Sequence, residues 1–450
     1  MKVFMLGWEF PPYISGGLGT ACHGLTKAMS DLGIEIIFVL PKPFQQTTST
    51  HVRMLTPLQV KPWSAAGGEE TFGFTQKDLK HVTFYAISSA MQPYTTPQQY
   101  QNQIEQIIRQ KASQEQLKAL GGMEAIAHWL HQAPAELGQG AQYGGDMYTE
   151  IHRYAAAAIR LAWQEQFDVI HAHDWMTYPA GIAVAAMTGK PLVIHVHSTE
   201  YDRSGENVNQ MIYDIERRGM HAATKIIAVS HMTRNIILAR YGIMGDKVEV
   251  VYNGVERNGD TIAADKIGIR NDEKIILFLG RITMQKGPEY FLMAARKVLE
   301  VMDNVKFVMA GSGDMMHRMI EMASQMGIGN KVLFTGFLHG KDVQRVFQMA
   351  DLYVMPSVSE PFGIAPLEAL NFDVPVLISK QSGVAEVLHH VLKVDFWDIQ
   401  EMANKIVAVL KYPPLQLTLR EHGNFEVRKL RWSDAARKCL KVYRETTQAV

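Results

Sequence analysis

The 450-residue chain predicts an α/β protein of two doubly wound domains, and three observations carry that expectation. Short apolar runs rich in Val, Ile, Leu and Phe alternate with longer amphipathic stretches, the pattern of buried parallel strands joined by crossover helices. The second half repeats the alternation after a turn-forming Asn253-Gly254 pair and a polar stretch at 256–272, where a boundary belongs. The length exceeds one compact domain and divides into two of roughly 200 residues each.

In the first half the strands are expected at 3–8, 34–40, 82–87, 168–173, 192–197, 225–230 and 248–252. Each is short and ends near polar residues or glycine, as buried strands do. A helix is expected over 20–32, after the first strand and the Gly16-Gly17-Leu18-Gly19 turn. Between about 91 and 148 the composition turns Gln-rich and helical, broken by Gly121-Gly122, and reads as an insertion covering the first domain. The second half places strands at 275–280, 305–311, 332–337, 352–356 and 374–379, with helices opening near Pro288 and Ile364. A last amphipathic helix is expected over 432–447. The predicted organisation is a first domain at 1–253, a second at 254–430 and a terminal helix within 431–450.

Charge balance excludes several classes of partner. Forty-five basic residues face forty-five acidic ones, so no general field draws nucleic acid or an anionic membrane, and a neutral acceptor fits better. Cys22 and Cys439 are the only cysteines, too few for a disulfide framework or a thiolate metal cluster, which points to the cytoplasm. No stretch approaches the length of a membrane span, and the apolar run at 3–6 is too short for a secretory leader. The twenty-five methionines are scattered and suit gap-filling in the core.

Two segments carry most of the chemistry. Ser357 to Leu370 contains Glu360-Pro361-Phe362-Gly363 and, eight residues after Glu360, Glu368. A helix beginning near Ile364, with Pro366 tolerated in its first turn, presents free amides that can hold a diphosphate. Glu368 can then accept from ribose hydroxyls, and Glu360 can meet a transferring sugar. Acids that merely favour a helix N-terminus are the plainer alternative. Gly280-Arg281-Ile-Thr-Met-Gln-Lys286-Gly287 lies between a strand and a helix, and its two cations can converge on one pyrophosphate; a solvated basic loop is the alternative there.

Together these segments resemble glycosyltransferase family 4, the group that includes glycogen and starch synthases, over nearly the whole chain. The resemblance implies the GT-B fold, two facing Rossmann-like domains with an interdomain cleft, and a terminal helix crossing back to the first domain. It implies a retaining, metal-independent transferase that moves a hexose, glucose first among the candidates, from ADP-glucose or UDP-glucose to a carbohydrate acceptor such as an α-glucan. No cofactor is expected, and the oligomeric state stays open. Glycine-rich Gly16-Gly17-Leu18-Gly19 is similar to the family's donor-facing loop, although Ile14 stands where glycogen synthases carry a lysine. His171-Ala-His173-Asp174-Trp175 resembles the segment whose aspartate, here Asp174, binds donor sugar or acceptor. His195-Val-His197 resembles the one whose histidine, here His197, contacts the sugar.

Smaller matches add Gly311 and Gly313 to the nucleotide side, and Phe337 and Leu338 to the base. Phe362, Gly363 and Ile364 are expected beside the phosphates; the 382–386 loop, Ser-Gly-Val-Ala-Glu, resembles a loop near the diphosphate, and a turn feeding a helix explains its composition equally well. A zinc site on His171 and His173, which share one strand face, lacks an evident third ligand. Three rival functions remain at this stage: transfer of mannose or N-acetylglucosamine to a lipid or cell-surface glycan, a catalytically silent carbohydrate-binding protein on the same fold, and a nucleotide-sugar epimerase.

Overall fold

A computed structural model describes residues 1–11, 16–41, 81–86, 147–256 and 273–448. The expected insertion, except Met147 and Tyr148, lies outside the described residues, as do Ile14 and most of the polar stretch at 256–272.

The first sheet contains β1 (Lys2–Leu6), β2 (Glu35–Leu40), β3 (Val82–Ala86), β4 (Val169–His173), β5 (Leu192–Val196), β6 (Lys225–Ala228) and β7 (Val248–Val250). Their spatial order is β3-β2-β1-β4-β5-β6-β7 and every pair is parallel. The second contains β8 (Lys274–Leu279), β9 (Val305–Ala310), β10 (Val332–Gly336), β11 (Leu352–Met355), β12 (Val376–Ser379) and β13 (Leu392–Val394). Its order is β10-β9-β8-β11-β12-β13, again all parallel. Parallel ladders need both faces covered, which is why these strands read as continuous apolar runs.

The described helices that cover them are α1 (Gly17–Asp31), α2 (Met147–Gln164), α3 (Tyr178–Thr188), α4 (Glu200–Ser204), α5 (Gln210–Ala222) and α6 (His231–Tyr241) in the first half. In the second half they are α7 (Pro288–Leu299), α8 (Met316–Gln325), α9 (Lys341–Met349), α10 (Ala365–Asn371), α11 (Ile399–Lys411), α12 (Pro413–Val427) and α13 (Trp432–Gln448).

The sequence reading and the structure differ at element ends, and the differences have local causes. Strand β5 stops at Val196, one residue short of the expected His197, because the His197 amide donates to the Asp174 carboxylate at 2.8 Å instead of to the ladder. Strand β6 stops at Ala228 rather than 230 because Ser230 turns to cap α6, its hydroxyl accepting from the Thr233 amide at 3.0 Å. Helix α1 begins at Gly17, three residues before the expected start, so Gly17 and Gly19 are helical. Strand β13 was not expected; three residues leave too short a pattern to read.

Helix α13 packs in the core of the first sheet through Trp432, Ala436, Cys439 and Tyr443. Its entry is fixed by Gly24 of α1, where an added Cβ would lie 2.3 Å from the Trp432 ring. Polar contacts among the described residues also join the halves. The Glu386 carboxylate accepts from the amides of His231 and Met232, at 2.9 and 2.7 Å, capping the positive end of α6. The Ser359 hydroxyl donates to Asp202 at 2.6 Å, and Lys27 pairs with Glu256 at 3.0 Å.

Replacing Gly24 by Ala is expected to lower stability by about 2 kcal/mol through overpacking against Trp432, measured as a shift in the urea midpoint. An unchanged midpoint would mean that the helix crossing does not depend on that close approach.

Candidate active site

Each sheet changes winding direction at a pair of adjacent strands, β1 beside β4 and β8 beside β11. Helices following such strands lie on opposite faces, so the loops at their carboxyl ends part and leave a crevice. Gly16 and Gly17 follow β1, Asp174 follows β4, Arg281 follows β8 and Glu360 follows β11. Both crevices open onto one cleft between the halves.

On the second-domain wall, Gly287 sets the position of Lys286. Its φ is 63°, and a Cβ would lie 2.2 Å from the Pro356 carbonyl oxygen, so only glycine lets this turn pass under the end of β11. Lys286 then meets Glu360 at 2.5 Å, and the Ser357 hydroxyl lies 3.4 Å from the same carboxylate oxygen. Glu360 is held from behind, its amide donating to the Gln381 carbonyl and Gly383 donating back to its own, both at 2.9 Å. Arg281 donates to the buried Gln285 side chain at 3.3 Å. Gly311, with φ 141°, would place a Cβ 1.8 Å from the Gly280 carbonyl, so the two loops pass backbone on backbone.

Asp174 and His197 form the first-domain wall. Asp174 has φ 58°, unusual for a residue with a side chain. The strain is offset by hydrogen bonds, since its carboxylate accepts from the amides of His197 at 2.8 Å and Ser198 at 3.4 Å. Burial pushes the Asp174 carboxyl up to about 7 against the pull of Arg203 and those amides.

The third ligand that the sequence did not reveal beside His171 and His173 is His195, whose ring nitrogens come within 4.8 Å of theirs. The three rings stack at 4.3 to 5.3 Å between centroids with interplanar angles of 7 to 27°. A metal lies in the plane of each imidazole that binds it, and near-parallel stacked planes offer no common point at the roughly 2.1 Å a zinc ion needs.

Two adjoining cavities of 280 and 110 Å³ form the cleft and share Gly16, Gly17, Arg281, Lys286, Glu360, Gly363 and Ile364. The larger continues past Gly311, Phe337 and Leu338 to Glu368. The smaller adds Asp174, His197 and Phe362. Gly19 and Gly313 line neither. The Gly19 amide donates to Glu9 at 3.1 Å, and a Cβ on Gly313 would lie 2.2 Å from the Ile282 carbonyl; both glycines support the loops from behind. The structure also brings Glu9, Asn253 and Gln285 to the smaller cavity. None of the three was singled out as a site residue.

Known proteins share this architecture and its sequence patterns. Residues 2–132 match the starch synthase catalytic domain, residues 121–258 match glycosyltransferase family 4, and residues 260–424 match glycosyl transferases group 1. An uncharacterized glycosyltransferase of Methanocaldococcus jannaschii is 37% identical over 402 residues, which cover 87% of this chain and 83% of that protein. The chain is a family 4 glycosyltransferase. Its fold is GT-B, as in sucrose-phosphate synthase from Thermosynechococcus elongatus, which aligns over 100% of both chains with a TM-score of 0.70 and 17% identity. Anabaena HepE, in complex with UDP-glucose, aligns over 100% of both chains with a TM-score of 0.65 and 17% identity. No described helix of the transferase is long and apolar enough to cross a membrane.

Burial raises the Glu368 carboxyl of this transferase from 4.5 to about 7. The native state therefore holds a proton that the unfolded chain releases, and stability falls as pH rises between those values. Glu368→Gln is expected to flatten this dependence and to be more stable than the parent above pH 7 by on the order of 1 kcal/mol, less than the full shift because the carboxyl faces the cleft. Chemical denaturation from pH 5 to about 8 checks it; parallel profiles for the two proteins would contradict the assignment.

Proposed function

We propose that this transferase moves glucose from ADP-glucose or UDP-glucose onto an α-glucan with retention of the anomeric configuration and without a metal ion. The observation that carries the reading is the joining of two cations, the glycine loop and the start of α10 around one cavity that runs directly into the one lined by Asp174 and His197. The starch synthase pattern over residues 2–132 supports the glucan acceptor. The UDP-glucose bound by a protein of the same fold supports the donor.

In this reading the base lies by Phe337 and Leu338, the ribose reaches Glu368, and the diphosphate lies among Arg281, Lys286, Gly16, Gly17 and the Gly363 and Ile364 backbone. Lys286, now paired with Glu360, shares its charge with the phosphates as they leave. Breaking the bond between C1 and the phosphate oxygen puts negative charge on the leaving group, and pre-placed cations stabilise it without reorganising. An acceptor hydroxyl attacks C1 from the face the nucleotide leaves, and its proton passes to the departing phosphate oxygen, giving the extended glucan and a nucleoside diphosphate. Glu360 orients the sugar and supports positive charge at C1, while Asp174 and His197 bind its hydroxyls. Domain closure keeps water from C1.

Replacing Arg281 and Lys286 together by Ala is expected to lower kcat/KM by at least about a hundredfold, with a smaller effect on the thermal midpoint; parental turnover would contradict the role given to them. Glu368→Ala is expected to raise KM for the nucleotide-sugar. ADP-, UDP- and GDP-sugars should be tried against glucan and monosaccharide acceptors, with products read by mass and anomeric NMR. An α-glucan extended from ADP- or UDP-glucose is the expected product. Transfer of mannose or N-acetylglucosamine, donor conversion without acceptor, or glycan binding without turnover would each replace this reading.

A further inference from the structure

Histidines 171, 173 and 195 stand on one face of adjacent strands, in register at His173 and His195, and His197, just past the end of β5, stacks on His195 at 4.1 Å. Only His197 lines the cleft. His173 is fully buried behind it, and its Nδ1 lies 2.9 Å from His197 Nε2. The His173 ring has little freedom: it stacks on His171 at 4.3 Å and on Phe38 at 6.4 Å. His171 is tied in turn to the Tyr443 hydroxyl of α13 at 2.5 Å.

Proton placement follows from what each nitrogen meets. Burial holds both rings neutral, with His173 lowered to about 3 and His197 well below the usual histidine range, so each carries one N–H. His173 Nε2 is buried without a partner among the described residues. A proton there would be an orphaned donor in the core, which proteins avoid more strictly than a bare acceptor. The proton therefore belongs on His173 Nδ1, which donates to His197 Nε2. That leaves the His197 proton on Nδ1, a nitrogen that no protein group pairs with among the described residues.

We propose that His173 is a positioning residue that holds His197 as its Nδ1–H tautomer, so that His197 donates a hydrogen bond to a sugar oxygen in the cavity beside Asp174. The sugar contact rests on the transfer reaction proposed above; the tautomer does not. His197 becomes a donor of fixed direction, able to select a hydroxyl oxygen at one position of the hexose ring. His173 touches no substrate and acts only through its neighbour.

The test measures tautomer and turnover separately in the full chain. Long-range proton–nitrogen NMR with nitrogen-15 histidine, assigned by loss of signals in His197→Asn, is expected to show His197 protonated at Nδ1 and bare at Nε2. In His173→Leu, which keeps bulk but has no donor, the His197 proton should redistribute to Nε2. With it kcat should fall about tenfold to a hundredfold, while KM for the nucleotide-sugar changes by less than about twofold. In His173→Asn the side-chain amide N–H can stand in for Nδ1–H, which should restore both the tautomer and most of the turnover. A His197 proton on Nε2 in the parent protein overturns the proposal even if no variant folds, and so does a His173→Leu protein with parental tautomer and kcat. The expected tautomers in a protein that transfers no sugar would keep the positioning role and end the transfer reading.

Discussion

The opposition of two strand-order reversals is the constraint on which the site depends. Where β1 lies beside β4 and β8 beside β11, following helices diverge to opposite faces and the loops cannot close over the strand ends. The cleft is the place where the chain can expose backbone amides, cations and carboxylates together without breaking a hydrophobic layer. Asp174 with its positive φ, the Gly287 turn beneath Pro356 and the contact of Gly311 with Gly280 are local solutions to threading loops through that crevice. Each would be a defect elsewhere in the fold.

Electrostatically, the cleft is costly in itself, and its cost is tied to its chemistry. Glu360 is almost fully buried and is tolerated through Lys286, while Asp174 and Glu368 hold their protons up to about 7. Carboxyls perturbed by desolvation in this way cluster at functional sites, although structural networks also produce them. The buried set of Arg203, Glu200 and Glu216 is one such network, with the Arg203 guanidinium bonded to both carboxylates. It lies behind the His197 loop, where Arg203 also donates to the Ser198 hydroxyl at 2.7 Å. Support and candidate site thus form one continuous polar layer.

The two halves are joined at points that bear on this layer. Asp202 caps α4 through Thr199 and accepts from Ser359, the neighbour of Glu360. Glu386 caps α6 from the loop that is bridged to Glu360 through Ser382. The contacts between the halves therefore bear on the Glu360 loop and on the helix that follows the His197 loop. Helix α13 returns the chain to the first core and touches His171 through Tyr443, linking the end of the chain to the histidine column.

Much of this protein was legible in its residues, for definite reasons. Strands buried on both faces are mostly apolar, so twelve of the thirteen described strands could be placed from their short apolar runs, and only the three-residue β13 escaped. Arg281, Lys286, Glu360 and Glu368, which the sequence singles out at fixed offsets around strand-to-helix turns, all line the larger cavity of the cleft. Tertiary structure alone decided what meets across distance. Nothing at positions 9, 253 or 285 marks them as neighbours of Asp174, and nothing in the spacing shows that Lys286 pairs with Glu360. The separation of His197 from the ladder, the stacking of four histidines and the burial of His173 likewise depend on the packing of two strands and a helix far apart in the chain. Local sequence dictates periodicity and turn chemistry; which turns face one another is set by strand order, and that is a property of the packed sheet.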